Sequence, residues 1–430
     1  MRYVHLSRRA FALALGVSVL AMGISSASAA STIKWLHLET NPERLAAMED
    51  VAKAYEAQHP DVDVQLQFLE NEAFKAKLPT LLQSNDPPSL FYTWGGGVLK
   101  TQSETGKIRA IDAALDANNG EWRNSLSQGA ISGMTFDGKV WAAPFKSGVV
   151  SFWYNKDLFQ KAGVDGTAIH TWDDFTAAVK KLKDAGITPL ACGGGDKWPI
   201  HFYWSYLGMR EAGQAGFEAA KNGENGGFNT EPFIKAGQKL ADLGKLEPCQ
   251  DGWQGATWPE TVATFDDGRA AMVLGFENMA TPTSQAANAT DGKGLSQDKL
   301  GRFPFPTIEG GAGVITDDFG GLNGWVVTAA APPETEDFVK FLTNADNMKR
   351  MAELGDLPVV QGAEAGVKDP TLKDAVAQMS KATWHQNYVD QDLGPNVGRV
   401  VNDMSVAIFS GAVTPEDATQ QIEDGHSMVM

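Results

Sequence analysis

Concentrated positive charge is missing from this sequence of 430 residues. Lysine and arginine total 36 against 53 aspartates and glutamates, which gives a formal net charge of −17, and no segment gathers the basic residues. Nucleic acids and anionic membrane surfaces bind through clustered cations. The composition therefore argues against both as main partners. It allows a neutral or cationic ligand and does not exclude an anionic one held by a few local donors.

Motifs that would indicate an enzyme, a nucleotide site or a metal site are also absent. The chain contains no G-x-x-x-x-G-K-[ST], no G-x-G-x-x-G, no G-x-S-x-G and no H-E-x-x-H, and its seven histidines are scattered. The adjacent acids Asp266-Asp267 and Asp317-Asp318 are more typical of solvated turns than of the opposed carboxylates of a glycosidase. The sequence predicts no catalytic residues, no metal and no cofactor.

Cysteine is scarce, and Cys192 and Cys249 are the only two. In an oxidising compartment an even pair favours a disulfide. This one would close a loop of about 57 residues. Two separate buried thiols are the alternative. Redox catalysis is not expected, because no C-x-x-C occurs.

The one long apolar run lies at the N-terminus. Three arginines precede it, residues 10–24 form it, and A-S-A at 27–29 follows as a cleavage site. The run is shorter than the roughly 20 residues of a membrane span. The pattern predicts a signal peptide over residues 1–29, cleaved after Ala29, and a mature protein in the periplasm. A buried or membrane-anchoring N-terminal helix is the alternative.

Strand and helix patterns alternate in the first part of the mature chain. Strand patterns at 32–38, 62–68 and 89–94 are separated by helix patterns. This βαβαβ order predicts a largely parallel sheet, with ligands beyond the carboxyl ends of the strands. The residues at those ends are Glu39, Asn71 and Trp94.

An α/β pattern restarts in the middle of the chain. Asp137-Gly138 indicates a hairpin, residues 149–154 a strand, T-W-D-D at 171–174 a capped helix start, and residues 187–190 a further strand. These segments predict a second α/β domain.

Tryptophan is abundant, with twelve in the chain. Five of them have loop-like contexts rich in glycine, proline and polar residues instead of helical spacing. Sugars have apolar C–H faces that stack on flat aromatic rings, and hydroxyls that need polar neighbours. The loop tryptophans therefore suit a carbohydrate ligand, although any single one can serve as loop packing. They are Trp94, Trp198, Trp253, Trp258 and Trp325.

Several motifs occur in a fixed order along nearly the whole mature chain. They are G-K-V-W-A-A-P at 138–144, F-W-Y-N-K-D-L-F at 152–159, T-W-D-D-F at 171–175, F-D-D-G-R-A-A-M at 265–272, G-G-L-N at 320–323, E-D-F-V-K-F-L at 336–342 and G-D-L-P at 355–358. Taken together, they resemble the extracellular solute-binding proteins of carbohydrate ABC importers, the group that includes maltose-binding protein.

The resemblance implies the type II fold of periplasmic binding proteins, in which two α/β lobes are joined by a hinge with a ligand cleft between them. It also implies hinge closure around a captured sugar, delivery to the permease subunits of an ABC transporter at the inner membrane, no catalysis, and a monomer. By this analogy lobe one comprises residues 30–144 and 278–326, lobe two residues 148–275 and 331–430, and the chain crosses near 144–149, 274–277 and 326–331.

The analogy, the strand ends and the loop tryptophans together define a set of expected cleft residues. The family often has an aromatic or acidic cleft residue after the A-A-M strand and a glycine pair in the late loop, and some relatives have a late arginine. The first crossing contributes a lysine. The expected residues are Glu39, Asn71, Trp94, Lys146, Trp198, Trp253, Trp258, Phe276, Glu277, Gly321, Asn323, Trp325 and Arg399.

Two other functions remain open from the sequence. One is a type II binding protein for a polyamine, a metal complex or a sugar acid; Lys146, Lys197 and Arg399 are candidate partners for an anionic sugar derivative. The other is a secreted glycan-active enzyme, which would need paired carboxylates beside the aromatic platforms. The tryptophan-rich loops favour the sugar-binding protein.

Overall fold

The computed structural model describes residues 31–430. The expected signal peptide, residues 1–29, lies outside the described residues. Among residues 31–430, none of the helices combines the length and the apolar character that a membrane span needs. The same part of the chain contains no cluster of three or more histidine, cysteine, aspartate or glutamate side chains arranged to hold a metal ion.

The described residues form twelve strands and seventeen α-helices, which are interspersed along the chain. The strands are β1 (Ser31–His37), β2 (Val62–Phe68), β3 (Leu90–Thr93), β4 (Thr135–Phe136), β5 (Lys139–Val140), β6 (Ala143–Val149), β7 (Ser151–Asn155), β8 (Met272–Gly275), β9 (Leu300–Phe303), β10 (Asp318–Val327), β11 (Leu357–Pro358) and β12 (His385–Asn387). The α-helices are α1 (Pro42–Gln58), α2 (Asn71–Gln83), α3 (Gly96–Glu104), α4 (Asp112–Ser125), α5 (Gln128–Gly133), α6 (Lys156–Lys161), α7 (Trp172–Asp184), α8 (Trp198–Lys221), α9 (Glu231–Lys245), α10 (Trp258–Asp266), α11 (Pro282–Asn288), α12 (Glu334–Leu342), α13 (Ala345–Glu353), α14 (Pro370–Met379), α15 (Val389–Asp392), α16 (Gly394–Phe409) and α17 (Pro415–Ser427).

The first lobe is built on a mixed sheet of seven strands. Its order is β11-β6-β10-β3-β1-β2, and β12 pairs with β10. Strand β1 lies parallel to both β2 and β3, as the βαβαβ pattern predicts, whereas β10 is antiparallel to β3 and β6. Trp35, Phe74, Phe91 and Phe338 are buried in the core between this sheet and its helices.

The second lobe contains a smaller antiparallel sheet in the order β8-β7-β9. Its core joins strand residues such as Phe152 to residues of helices α7, α8, α9, α16 and α17. Helix α7 begins at the predicted place: the Thr171 side chain accepts from the backbone N–H of Asp174, and the Asp174 carboxylate accepts from the N–H of Thr171. This capping box satisfies donors that a helix start otherwise leaves unpaired.

Strands β6 and β10 connect the two lobes. Trp325 of β10 belongs to the first lobe's core, whereas Phe319 at the other end of the strand belongs to the second lobe's core. Where β10 passes β6, a Cβ atom on Gly320 would lie 1.9 Å from the carbonyl oxygen of Gly148. The two backbones can approach this closely only because residue 320 is glycine.

Strand pairing and packing divide the chain differently from the expected lobe boundaries. Residues 300–303, expected in lobe one, form β9 and pair with β7 of the second lobe. Residues 334–353, expected in lobe two, form α12 and α13, and their buried residues pack into the first lobe's core. The chain therefore remains in the second lobe after 274–277 and in the first lobe after 326–331, where crossings were expected.

Of the three expected crossings between the lobes, only the first lies close to its expected position. The crossing expected near 144–149 falls on β6, which stays in the large sheet to Val149 before β7 enters the small sheet at Ser151. The second connection is β10 itself, which runs from Phe319 in the second lobe's core to Trp325 in the first lobe's core, and the third follows β11. Sequence motifs did not reveal these places, because a crossing depends on which sheet a strand pairs with.

The sulfurs of Cys192 and Cys249 form a disulfide, and their Cα atoms are 5.6 Å apart. It joins the segment after α7 to the segment after α9. The strand predicted at 187–190 does not form; Leu190 makes only isolated bridges, to Cys249 and Met272. The disulfide and these bridges hold this irregular segment in place beside β8.

We expect replacement of both cysteines by alanine to lower the free energy of unfolding by about 4 kcal/mol, because the disulfide closes a loop of 57 residues in the unfolded chain. Denaturant unfolding of the oxidised wild type and of Cys192→Ala/Cys249→Ala measures the difference. Reduced wild type is the control and should unfold like the variant. Equal unfolding free energies for oxidised wild type and variant would contradict the prediction.

Candidate functional site

A cavity of about 560 Å³ lies between the two lobes. One wall consists of residues that follow β1, β2 and β3, and the other consists of the first turns of α8 and α10 with the residues after β8 and β12. Strands β6 and β10 form its floor. The volume is in the range of small-molecule sites, which are roughly 300–1,000 Å³.

Ten of the thirteen expected cleft residues line this cavity. The three strand-end residues meet there, which is the geometry expected where parallel strands end at one edge of a sheet. The residues that the fold brings together are Glu39, Asn71, Trp94, Lys146, Trp198, Trp258, Phe276, Glu277, Asn323 and Trp325.

Three expected residues lie outside the cavity lining. Trp253 packs edge-on against Phe409, with ring centroids 5.0 Å apart, in the second lobe. Gly321 is covered by the Tyr388 ring, since a Cβ on it would lie 2.1 Å from that ring. Arg399 is exposed on α16. The local sequence around each residue was compatible with a position in the cleft. The fold instead packs Trp253 and Gly321 against other aromatic rings and exposes Arg399 to solvent.

An ion pair whose side chains are only 12–13% exposed occupies the first-lobe side of the cavity. The Arg44 Nε donates to Glu39 Oε2 at 2.8 Å, and Nη2 donates to Glu39 Oε1 at 3.0 Å. The backbone N–H of Asn41 donates to the same carboxylate at 2.7 Å. Burial raises the pKa of Glu39, but Arg44 and Lys146 lower it more, so that its pKa lies below the usual value. Glu39 is therefore ionised and holds Arg44 in position.

A second ion pair lies on the floor, where the lobes connect. Lys146 Nζ donates to Asp356 Oδ1 at 2.9 Å, and the Asp356 side chain is 1% exposed. Glu277 lies nearby, 5% exposed, and accepts from the backbone N–H of Val149 at 3.2 Å. Burial raises the pKa of Glu277 to about 7, Lys146 opposes this rise, and Asp356 adds to it. The floor thus combines fixed charges with one carboxyl that titrates near neutral pH.

Aromatic rings form the second-lobe wall. Trp198 stacks on Phe276, with centroids 5.8 Å apart and planes 28° apart, and lies 5.0 Å from Trp258. Phe202 and Tyr388 continue the group, stacked with centroids 5.8 Å apart. The wall is therefore a broad apolar surface, as the C–H face of a sugar ring requires.

The first lobe presents its own aromatic group across the cavity. Trp94 and Tyr92 meet edge to face at 5.2 Å, and Trp325 stacks on Phe145 at 5.1 Å with the planes 20° apart. Lys75 Nζ lies 5.4 Å from the centroid of the Trp94 ring. A flat ligand between the lobes would thus meet rings on both sides.

Several buried polar atoms of cavity-lining residues have no hydrogen-bond partner in the described protein. They include both donors and acceptors, and each costs free energy while it remains unpaired. Saccharide hydroxyls can donate and accept, so they match such a mixed set. The atoms are Nη1 of Arg44, Nε1 of Trp198, Nε2 of His201, Oδ1 of Asn323 and Oδ2 of Asp356.

Carboxylates from the two lobes face each other at one end of the cavity. Asp196 accepts from the backbone N–H of Trp258 at 2.6 Å, and burial raises its pKa. In the first lobe, the negative charge of Glu70 contributes to the raised pKa of Asp196. Asp196 in turn contributes to a raised pKa of Glu72. Asn71 donates to Glu72 at 2.8 Å. The acids at this end carry more charge than Lys75 alone can balance.

Sequence reasoning missed several residues that line the cavity. Arg44 could have been found, because it lies in the first turn of α1, directly after the strand-end segment of Glu39, and Asp356 stands inside the G-D-L-P motif. Tyr388 and Asp390 carried no signal, because no motif surrounds them and only the pairing of β12 with β10 brings their segment to the cleft.

The sequence is similar to known solute-binding proteins over most of its length. The family model for bacterial extracellular solute-binding proteins matches residues 39–349. The melibiose/raffinose/stachyose-binding protein MelE of Bacillus subtilis is 26% identical, over 96% of this chain and 95% of its own length. The sn-glycerol-3-phosphate-binding periplasmic protein UgpB of Rhizobium meliloti is 23% identical, over 96% and 97%.

Solved structures agree with the two-lobe architecture. A structure from work on xylan utilisation by the thermophilic bacterium Caldanaerobius polysaccharolyticus superposes with a TM-score of 0.82 at 26% identity, over 91% of this chain and 99% of that one. The type II fold expected from the sequence is thereby confirmed, with the lobe boundaries corrected as described above.

We expect Glu277 to make stability depend on pH. A carboxyl whose pKa is raised on folding binds its proton more tightly in the folded state. Its contribution to stability is therefore greatest below its ordinary pKa and is lost as the pH rises through about 7. In Glu277→Gln this loss should disappear. When the pH is raised from about 5 to about 8, the free energy of unfolding of the variant should therefore increase relative to that of wild type by up to about 3 kcal/mol.

Denaturant unfolding of both proteins at the two pH values measures this effect. The exposed Glu224 supplies the control, since Glu224→Gln removes a carboxyl without removing a buried one. A difference between wild type and Glu277→Gln that does not change with pH would refute the assignment.

Proposed function

The chain belongs to the bacterial extracellular solute-binding protein family, and on that premise we propose that it is the sugar-binding subunit of an ABC importer. The observation that carries the proposal is the cavity between the lobes, with aromatic rings on both walls and unpaired donors and acceptors between them. The ligand would be a mono-, di- or small oligosaccharide. The names of several relatives support a sugar as cargo.

Capture would proceed by hinge closure about β6 and β10. A sugar that contacts both lobes binds the closed form more tightly than the open form and so shifts the population toward it. Trp94 would stack on the sugar from the first lobe, and Trp198 with Phe276 from the second. Asn323 and Arg44 would hydrogen-bond to hydroxyls, because each carries an unpaired polar atom.

The surrounding system follows from the same proposal. The mature protein would act as a monomer in the periplasm after cleavage at Ala29, and permease subunits at the inner membrane would receive the closed form. It would catalyse no reaction. The adjacent acids do not support a glycosidase, and they are not the solvated turns that the sequence favoured. Asp266 is buried and accepts from Gln285, and the buried Asp317 accepts from Thr383 and Val314.

A cationic solute such as a polyamine is the second candidate. One observation favours it, namely the carboxylates that face each other across the cavity near Asp196. An ammonium group bound between carboxylates and aromatic rings would gain both charge pairing and cation–π attraction. The polar atoms that suit hydroxyls favour the sugar.

A thermal-shift panel on residues 30–430 tests the proposal. We expect one class of mono-, di- or oligosaccharide to raise the melting temperature, because a ligand at about 100 times its dissociation constant adds about 2.7 kcal/mol to the folded state. Polyamines and metal complexes are included in the same panel. A shift with a polyamine and none with any sugar would favour the second candidate. Chromatography of the incubated sugar should reveal no product, and turnover would instead indicate an enzyme.

We expect Trp94→Ala to weaken binding of the sugar found by that panel by about tenfold or more, because a stacking platform at the centre of the site is lost. Trp198→Phe should weaken it less, since an aromatic ring remains, although it is smaller than the indole and lacks the Nε1 donor. Calorimetric titration measures both. Trp253→Phe is the matched control, because Trp253 lies outside the cavity. Unchanged affinity in both cleft variants would refute the assignment.

A further inference from the structure

Every basic side chain that lines the cavity is already paired with a protein carboxylate. The three are Arg44, Lys75 and Lys146. Arg44 holds Glu39 through two hydrogen bonds, and Lys146 holds Asp356 at 2.9 Å. Lys75 lies 3.1 Å from Glu72 on the same helix.

Carboxylates without a lysine or arginine partner add to the negative charge of the cavity. Besides Glu39 and Asp356, the lining includes Glu70, Asp196, Glu277 and Asp390. The two histidines of the lining do not offset this, since burial lowers the pKa values of both His37 and His201 and leaves them neutral at pH 7. Six carboxyl groups thus face three cations, and protonation of Glu277 alone would not reverse the balance.

We propose that the cleft selects a saccharide without an acidic group, and that Glu39 and Asp356 determine this selectivity by holding Arg44 and Lys146 in ion pairs. The proposal rests on the sugar-binding function proposed above and specifies the chemical class of the cargo. Family membership does not decide this point, because one relative is named for sn-glycerol-3-phosphate, an anionic solute.

The physical basis is the cost of displacing a buried carboxylate. A uronate or phosphate that pairs with Lys146 must take the place of Asp356, which is 1% exposed and would remain buried without its partner. Breaking a buried pair in this way is strongly unfavourable. A neutral hydroxyl avoids that cost, since it can accept from the free Nη1 of Arg44 or donate to the free Oδ2 of Asp356 while both pairs persist.

The other basic residues that left an anionic sugar open are not at the cleft. Lys197 pairs with Asp403 at 2.6 Å and does not line the cavity. Arg399 is exposed on α16, away from it. No basic side chain of the cavity lining, among the described residues, is therefore free to receive an acidic group.

Matched saccharides test the selectivity in the wild-type protein. Calorimetric titrations at neutral pH would compare glucose with glucuronate, galactose with galacturonate, and the neutral galactose disaccharide with digalacturonate. We expect the neutral member of the bound series to bind at least about tenfold tighter than its acidic counterpart. An acidic member that binds as tightly as the neutral one, or tighter, would overturn the proposal and leave the sugar-binding function intact.

Single substitutions test the two residues. Asp356→Asn leaves Lys146 unpaired, and Glu39→Gln does the same for Arg44. In each variant the ratio of acidic to neutral affinity should rise by about tenfold. Asp403→Asn is the matched control, because it frees Lys197 outside the cavity and should leave the ratio unchanged. Thermal unfolding of each variant establishes that it is folded.

The remaining outcomes are also decisive. A folded Asp356→Asn and a folded Glu39→Gln with unchanged ratios would overturn the role given to the ion pairs. Should neither variant fold, the wild-type comparison decides the selectivity by itself. Absence of binding by every saccharide, neutral or acidic, would refute the sugar-binding function and this inference with it.

Discussion

The close antiparallel pairing of β6 with β10 is the constraint on which the cleft depends. Strand β10 runs from Phe319 in the second lobe's core to Trp325 in the first lobe's core, and β6 leads from the first lobe's core directly into β7, so the pair fixes how the lobes are connected. The same register sets Lys146 opposite Asn323, and β11 adds Pro358 on the other side of Lys146. The floor of the site is thus a direct consequence of backbone hydrogen bonds.

The cleft combines apolar walls with an ionic floor. In the proposed complex, the rings of Trp198, Phe276 and Trp94 would remove water from the faces of the ligand, while the floor would offer fixed donors and acceptors to its edge. Buried ion pairs such as Lys146 with Asp356 contribute little to stability, because desolvation offsets their attraction. In the proposed site these pairs orient Arg44 and Lys146 and neutralise the positive charge of both.

Local sequence patterns were sufficient to predict many of the elements but not their assembly. The parallel strands β1, β2 and β3 and the capping box at Thr171 followed from periodicity and spacing, which depend on neighbours in the chain. The strand expected at 187–190 failed because a disulfide and isolated bridges, instead of a ladder, hold that segment. Ten of the thirteen expected residues line the cavity, because strand ends and motif positions are local features.

The sequence by itself determined the class of fold, the order of the first strands and the aromatic character of the site, since hydrophobic periodicity and residue type are read along the chain. Only the tertiary structure decided which lobe holds β9, α12 and α13, and which cations of the cleft are neutralised. The reason is distance in sequence: Lys146 and Asp356 are 210 residues apart, and nothing local to either indicates that they pair.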